Sequence, residues 1–253
     1  MMALRESALF RQTLTVLALL LLWEVLGRAG WIDPFYAPPP TAIALTLYQV
    51  FADGSIWPHL IATLTAALVG LGLGMVIGAV LGFAAALVRP IADLLEPIMI
   101  LLNAIPRVIL APLFIIWFGI GLGSKIAISL ILVTVLIFFA VYSGIREVDV
   151  RLVERIRTLG GGRATLLREV YIPSVASWIM GNLKVAVGFA FTGAVVGEFV
   201  ASSRGLGYLL SFAQSTYNSA MTMALIVLIM AFVLILFGLA GRLERWLLAW
   251  RYA

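Results

Sequence analysis

Long apolar runs recur along the whole chain, and they restrict the folds that the sequence can adopt. A helix needs roughly 20 apolar residues to cross the ~30 Å hydrocarbon core of a bilayer, where each backbone polar group must be satisfied within the protein. The sequence predicts six such spans. They cover residues 12–28, 60–88, 92–119, 124–145, 175–198 and 220–241. We therefore predict an all-α polytopic membrane protein in which residues 1–253 form a single transmembrane domain.

The first run has a second interpretation, a cleaved signal peptide, because Arg5 and Arg11 precede a leucine-rich stretch. Glu24 within the run and the lack of a small-residue cleavage pattern argue against it. We take residues 12–28 as the first span.

Composition excludes several kinds of function. The chain is 63% hydrophobic and 11% charged, has no cysteine and has one histidine, His59. A disulfide framework, a thiolate metal site and a histidine cluster are therefore excluded. The formal net charge of +5 comes from basic residues dispersed between apolar runs, so nucleic acid is not an expected partner.

The basic residues predict the orientation, because short cytoplasmic loops retain lysine and arginine. If the amino terminus lies inside, the cytoplasmic segments contain Arg5, Arg11, Arg89, Arg146, Arg151, Arg155, Arg157, Arg163, Arg168, Arg242, Arg245 and Arg251. The outer segments then contain only Arg28, Lys125 and Arg204. We expect both termini to be cytoplasmic.

The second span carries a small residue at every fourth position. These residues are Ala62, Ala66, Gly70, Gly74, Gly78, Gly82 and Ala86. Such a ridge lets helix backbones approach closely, and in lipid this packing replaces the hydrophobic drive available in water. Because four residues overshoot one turn by about 40°, we expect the ridge to wind around the helix and to contact more than one neighbour.

Two other segments have special backbone chemistry. The first outer loop contains four prolines and then the amphipathic stretch 43–51, which predicts a helix lying at the membrane interface. In the third span, Pro106 and Pro112 interrupt helical hydrogen bonding, and Asn103 and Arg107 bring polar groups to membrane depth. A broken helix that carries a charge is typical of a passage lining, although pairing of Arg107 within the bundle explains it equally well.

The longest cytoplasmic segment, residues 146–174, predicts a helix, a break at Gly160, Gly161 and Gly162, and a second short helix that runs to Pro173. A rigid polar segment of this kind suits docking of a partner, because a preformed helix transmits a push. From the residues alone, a solvated loop is the alternative.

This segment resembles the cytoplasmic loop signature of permease subunits of binding-protein-dependent ABC importers. Glu154 stands in the place of the signature's glutamate, Gly160 in that of its glycine, and Val170 in that of its isoleucine. Ile172 and Pro173 stand in the place of Leu-Pro. The departures are Arg155 and Ile156, where the pattern has two alanines. By this resemblance, the residues expected to couple to an ATPase are Glu154, Arg155, Arg157, Gly160, Arg163 and Pro173.

The resemblance covers most of the chain. The stretches APPPTAIA, PLFIIWFGIGLGSKIAI, GEFVASSRGLGYLL and LERWLLAWR are similar to the branch that imports nitrate, taurine and alkanesulfonates. The resemblance implies the smaller importer-permease fold in a bacterial inner membrane. It also implies a second permease copy, a cytoplasmic ATPase for each copy and a periplasmic solute-binding protein.

The sequence also indicates that another protein supplies the energy for transport. It has no G-x-x-x-x-G-K-[ST] phosphate loop, and in GLGSK (Gly121–Lys125) a serine separates glycine from lysine in a segment expected to be an outer turn. We expect this chain to bind no cofactor and the partner ATPase to bind ATP and Mg²⁺.

Four residues are candidates for the passage: Asn103, Arg107, Lys184 and Glu198. The basic ones among them would attract an anion, although each is as easily explained by pairing within the bundle. Ser203, Gly205 and Gly207 follow a helix end, where we expect an outer gate or a docking surface, with a plain connecting loop as the alternative.

Two alternative functions belong to other classes, the first being a channel or secondary transporter and the second an enzyme. Secondary transporters often contain inverted repeats and intramembrane acids that bind coupling ions, but no repeat is visible here and the acids lie mostly at span ends. A membrane-embedded enzyme needs a catalytic set at membrane depth, which one histidine and no cysteine do not provide.

Overall fold

The computed structural model describes residues 2–247, apart from the side chains of residues 2–9 and of Arg107. Every regular element in this range is a helix. The elements are α1 (Met2–Arg28), α2 (Pro40–Ala52), α3 (Trp57–Leu87), α4 (Arg89–Ala104), α5 (Arg107–Phe118), α6 (Leu122–Arg146), α7 (Val150–Thr158), α8 (Arg163–Leu166), a π-helical turn (Leu167–Tyr171), α9 (Ile172–Val200), α10 (Leu206–Ser215) and α11 (Ser219–Leu247).

Five of the described helical stretches are long and apolar enough to cross a bilayer. They are Phe10–Arg28, Trp57–Leu87, Leu122–Arg146, Arg163–Val200 and Ser219–Leu247. Helices α4 and α5 form a sixth span if they count as one, and they meet at a bend of 109°. The prediction of an all-α protein with about six spans, the third of them broken, is therefore confirmed.

The chain forms two compact units. One contains the residues up to Pro58 together with Leu209–Met230, and the other contains His59–Tyr208 together with the chain from Ala231.

In the first unit, Glu24 fixes the start of α2, which has no side-chain cap of its own. The Glu24 carboxylate accepts hydrogen bonds from the backbone N–H (3.0 Å) and the hydroxyl (2.8 Å) of Thr41. It also accepts one from Nε of Arg28 (2.5 Å). A carboxylate at a helix N-terminus satisfies free N–H groups and matches the helix dipole. The predicted amphipathic stretch 43–51 therefore lies in a helix that is tied to α1.

In the second unit, the glycine ridge of α3 packs directly on α6. A Cβ atom on Gly70, Gly74, Gly78 or Gly82 would lie within 2.7 Å of an α6 atom. Their partners on α6 are Ser129, Val133, Ile137 and Val141, which also advance by four residues. Because both rows have the same step, they stay in contact over several turns. At these four positions the atoms nearest to the added Cβ all belong to α6, and contact of the ridge with a second neighbour stays a prediction.

Helix α6 also packs on α9, and this pair forms the centre of the second unit. Ile137 and Val141 are buried against Ala186 and Ala190. The Ser129 hydroxyl donates a hydrogen bond of 2.8 Å to the carbonyl of Ala190. Small residues on α9 allow this close approach, which is how membrane helices gain packing energy.

Candidate functional site

The second unit has two ends that carry polar groups. The end where α6 finishes and α8 begins is called the coupling end, and it carries the coupling segment, residues 146–174. The opposite end, where α3 and α6 begin and α9 finishes, is called the turn end.

Helix α7 of the coupling segment is capped at both ends by local hydrogen bonds. At its start, the Asp149 carboxylate accepts a hydrogen bond of 2.8 Å from the backbone N–H of Arg151, which is an N-cap. At its end, the N–H of Gly161 bonds to the carbonyl of Ile156 (2.8 Å) and the N–H of Gly160 to that of Arg157 (3.0 Å). This paired pattern is the Schellman motif. Helix α7 is therefore a preformed unit.

Two of the three glycines after α7 are required for different reasons. Gly160 has a φ of +80°, and a side chain there would meet open space, so only its backbone conformation demands glycine. Gly161 is tightly packed, because an added Cβ would lie 2.5 Å from Cγ2 of Ile156 and 2.9 Å from its carbonyl oxygen. The sequence predicted a break at all three glycines, and the resemblance singled out Gly160 among them.

Helix α7 has no buried residue. Its three predicted coupling residues, Glu154, Arg155 and Arg157, are exposed and form no ion pair with any described residue. The apolar side chains of Leu152 and Leu159 are 51% and 79% exposed. The helix therefore presents charged and apolar groups that nothing in the described chain covers.

The second half of the segment differs from the sequence prediction. Arg163 begins α8 as expected, but the helix does not end at Pro173. It passes through the π-helical turn and continues as one stretch to Val200. Pro173 has no N–H to donate, so it usually ends or bends a helix. Here it lies just after the π-helical turn, in which each hydrogen bond spans five residues instead of the four of an α-helix. The coupling segment is thus joined to α9 without a break.

The coupling segment is joined to α6 at both ends. It begins at Arg146, the last residue of α6, which donates a hydrogen bond of 2.8 Å to the hydroxyl of Tyr142; this hydroxyl donates one of 2.9 Å to Glu96 on α4. At the other end, the Ser174 hydroxyl donates a hydrogen bond of 3.1 Å to the carbonyl of Gly144 on α6. The segment therefore leaves α6 and returns to it.

At the turn end, Glu198 holds the start of α10. One of its carboxylate oxygens accepts hydrogen bonds from the hydroxyl of Thr63 (2.8 Å) and the N–H of Gly207 (3.0 Å). The Thr63 hydroxyl in turn accepts one of 2.9 Å from the N–H of Leu206. Glu198 is 2% exposed. These bonds satisfy two of the free N–H groups that open α10.

The predicted turn is present at Gly205, whereas Gly207 lies in the first turn of α10, and glycine is required at both positions. Gly205 has a φ of +120°, and an added Cβ would overlap the Glu198 carboxyl group. A Cβ on Gly207 would lie 2.8 Å from Cβ of Glu198. The N–H of Gly205 also donates to Nδ1 of His59 (3.1 Å). Whether this turn acts as a gate stays a prediction.

Sequence reasoning missed Lys125, Thr63 and His59 at this end. Residues 122–125 form the first turn of α6 and not an outer turn. Lys125 is 3% exposed, and its ammonium bonds to the carbonyls of Ile120 and Gly121. The position of Lys125 at the start of a predicted span could have identified it from the sequence as a candidate site residue.

The structure does not bring the four passage candidates together at one site. Glu198 shares a cavity with Ser203, whereas Asn103 lines a separate, narrow cavity of about 20 Å³ between α4, α5, α6 and α9. Lys184 forms an ion pair of 3.1 Å with Glu244 on α11. For Arg107, the side chain lies outside the described part. Each passage role stays a prediction.

A polar groove of about 510 Å³ lies on one face of α9. Its lining residues are Ser174, Ser177, Trp178, Gly181 and Asn182. They recur at helical spacing along a candidate membrane span. Hydroxyl and amide groups are costly against lipid, so such a face lies against protein or a water-filled space.

Comparison with known proteins gives consistent results. The family described as binding-protein-dependent transport system inner membrane component matches residues 74–248. The riboflavin transport system permease protein RibX of Chloroflexus aurantiacus is 34% identical, over 93% of this chain and 88% of its own. The taurine transport system permease protein TauC of Escherichia coli is 29% identical over 93% and 88%. The putative aliphatic sulfonates transport permease protein SsuC of Bacillus subtilis is 31% identical over 91% and 83%.

Two solved structures share the fold. An amino acid ABC transporter structure with histidines matches with a TM-score of 0.65 and 20% identity, covering 79% of this chain and 97% of its own. An inward-facing structure of the MetNI methionine ABC transporter matches with a TM-score of 0.59 and 20% identity, covering 75% and 93%.

Proposed function

The chain belongs to the family of binding-protein-dependent transport system inner membrane components, and we propose that its exposed helix α7 couples it to the ATPase of an importer. It is a multi-pass, non-catalytic permease subunit of an ABC importer, and ATP is handled by a separate ATPase subunit. A solute-binding protein is the other partner that the family implies.

The observation that carries the coupling role is an exposed helix, capped at both ends, in a segment that is joined to α6 and α9. Helix α7 has no buried residue, and the segment begins at the end of α6, bonds back to α6 through Ser174 and continues into α9. We propose that a partner which binds Glu154, Arg155 and Arg157 through charged contacts acts on α6 and α9 through these connections. Polar contacts of this kind fix the orientation of a docked helix.

We propose that the coupling end is cytoplasmic, with both termini on that side. The support is the arginine content of the coupling segment and the neighbouring helix ends, against the few basic residues near the turn end. The turn end, with Ser203, Gly205 and Gly207, then faces the binding protein and forms the outer gate.

The polar groove on α9 is our proposal for the passage surface within the membrane. Two copies of the chain, related by a twofold axis, would place two such faces around one path, since closed symmetry is the usual form of such assemblies. Asn103, Arg107 and Lys184 remain the sequence's candidates for further lining residues.

For the solute, we propose a small molecule that carries an anionic group. The basic passage candidates of the sequence, Arg107 and Lys184, motivate this choice, and two of the relatives are named for taurine and for aliphatic sulfonates. A second candidate is a planar heterocyclic solute, because Trp178 lines the groove and one relative is named for riboflavin. Aromatic side chains stack on such rings.

Uptake by the reconstituted complex tests this proposal. The permease is placed in liposomes with its partner ATPase and binding protein, which we expect to be encoded beside it, and uptake of taurine, methanesulfonate and riboflavin is measured with and without ATP. We expect uptake of a sulfonate that requires ATP, the ATPase and the binding protein. ATP hydrolysis by the purified permease alone, at a rate abolished by its own point mutations, would contradict the assignment.

A further inference from the structure

A second polar cavity, of about 160 Å³, lies at the turn end. Its lining residues are Ala62, Ile120, Gly121, Leu122, Lys125, Glu198, Ser202, Ser203 and Arg204. We propose that this cavity is a binding subsite for the anionic group of a small solute. The proposal rests on the function proposed above and names a solute contact that lies apart from the α9 groove.

The charges around the cavity favour an anion. Lys125 and Arg204 carry positive charge and Glu198 carries negative charge, so the formal sum is one positive charge. The Glu198 carboxylate is already engaged by Thr63 and Gly207. A monoanion would bring the formal charge of the cavity to zero, and the attraction between unlike charges is strongest beside the buried Lys125 ammonium.

The Lys125 ammonium has one N–H that is available to a ligand. A lysine ammonium has three N–H donors, and two of them bond to the carbonyls of Ile120 and Gly121. No acceptor among the described residues takes the third. Because the side chain is 3% exposed and lines the cavity, a bound oxyanion would satisfy this donor.

The turn between α9 and α10 supplies the remaining groups. Ser203 and Arg204 are exposed, and their side chains make no hydrogen bond or ion pair within the described part of the chain. The backbone beside them is held in place, because Gly205 bonds to His59 and Leu206 to Thr63. The subsite thus combines a buried cation with two accessible groups on a fixed turn.

The size of the cavity suits a small anionic group. Its volume is about 160 Å³, and it is open on one side, because Ser203 and Arg204 on its wall are exposed. A sulfonate or carboxylate group with one or two carbons fits inside, and the rest of a longer solute would extend through the open side. The inferred ligand class is therefore a small monoanion or the anionic end of a longer solute.

Equilibrium binding without ATP and without the binding protein tests the subsite. The permease–ATPase complex in lipid nanodiscs is titrated calorimetrically with methanesulfonate and with dimethyl sulfone, a neutral molecule of similar shape. We expect methanesulfonate to bind and dimethyl sulfone not to bind. Arg204→Gln should weaken methanesulfonate binding about three- to fivefold, as for loss of one partly exposed charge contact. Arg204→Lys should retain most of the affinity.

Arg242→Gln is the matched control, since Arg242 is exposed on α11 and does not line the cavity. Equal binding of the two probes, no binding of methanesulfonate, or equal losses in Arg204→Gln and Arg242→Gln would each overturn the subsite. ATP-driven uptake that persists alongside such a result would leave the proposed function intact. Loss of uptake in the parental complex would instead contradict the function.

Discussion

Thr63 on α3 donates a hydrogen bond of 2.8 Å to Glu198 on α9, although 135 residues separate them in the chain. The same hydroxyl accepts a hydrogen bond from the N–H of Leu206 at the start of α10. One side chain thus joins three helices, and the buried carboxylate depends on it.

Thr63→Val should destabilise the permease, because it keeps the side-chain shape and removes the hydroxyl. The buried Glu198 carboxylate loses a donor and the Leu206 N–H loses its acceptor, and an unsatisfied buried polar group costs about 1–3 kcal/mol. The thermal unfolding midpoint of the purified protein should fall. Thr65→Val is the control, since Thr65 is exposed and its hydroxyl bonds only to Ile61 on its own helix. Equal midpoints for the two variants would contradict the prediction.

Gly160→Val should uncouple the permease from the ATPase. A β-branched residue at a φ of +80° is strained, at a cost of roughly 1–2 kcal/mol, so the chain after α7 should be misdirected while the spans still insert. Gly162→Val is the matched control, because Gly162 has a φ of −84° and open space around it.

Co-purification of the ATPase, together with transport and ATP hydrolysis in liposomes, measures this effect. Glu154→Lys is the companion variant on the exposed face of α7. If both Gly160→Val and Glu154→Lys leave ATPase association and transport at the parental level, residues 146–174 are not the coupling element.

Gly78→Val should prevent close packing of α3 on α6. A Cβ at this position would lie 2.6 Å from the carbonyl oxygen of Thr134 and 2.9 Å from Cβ of Ile137, and overpacking costs about 1–3 kcal/mol or more. Gly72→Val in the same helix meets nothing within 4 Å and serves as the control. We expect a lower yield of monodisperse protein on size-exclusion chromatography for Gly78→Val alone, and similar elution profiles would argue against the ridge.

Arg107→Gln should weaken transport of an anionic solute without dissolving the complex. The prediction follows from the position of Arg107 at the break between α4 and α5, where an unpaired charge facing lipid would cost several kcal/mol. Arg89→Gln, at the exposed start of α4, is the control. Unaltered uptake, or loss of the assembled complex, would count against a passage role.

Native mass spectrometry of the detergent-purified complex should give two identical permease chains with two ATPase chains. The expectation rests on the resemblance and on the usual preference for closed symmetry. A complex that contains one copy of this chain beside a different permease would reject it.

Several features of the structure could be predicted because they are set locally along the chain. The length of an apolar run decides whether a helix crosses a bilayer, and this gave the six spans, with the break near Pro106. The end of α7 was predicted in the same way, since three consecutive glycines interrupt a helix, and the structure gives Gly160 the left-handed conformation that is common at such an end. The α3 ridge was visible because its four-residue period lies in one segment.

Other features required the tertiary structure. The expected helix end at Pro173 was wrong, because a π-helical turn joins α8 to α9 and the helix continues. Lys184 and Glu244 are 60 residues apart, and no local pattern pairs them. The cavity around Lys125 combines residues from α3, the α5–α6 connection, α6, α9 and the turn that follows α9. Local chemistry therefore determined which segments are helices and where they bend. The partners of buried polar groups were decided only by packing, because contacts between distant residues depend on how whole helices are placed.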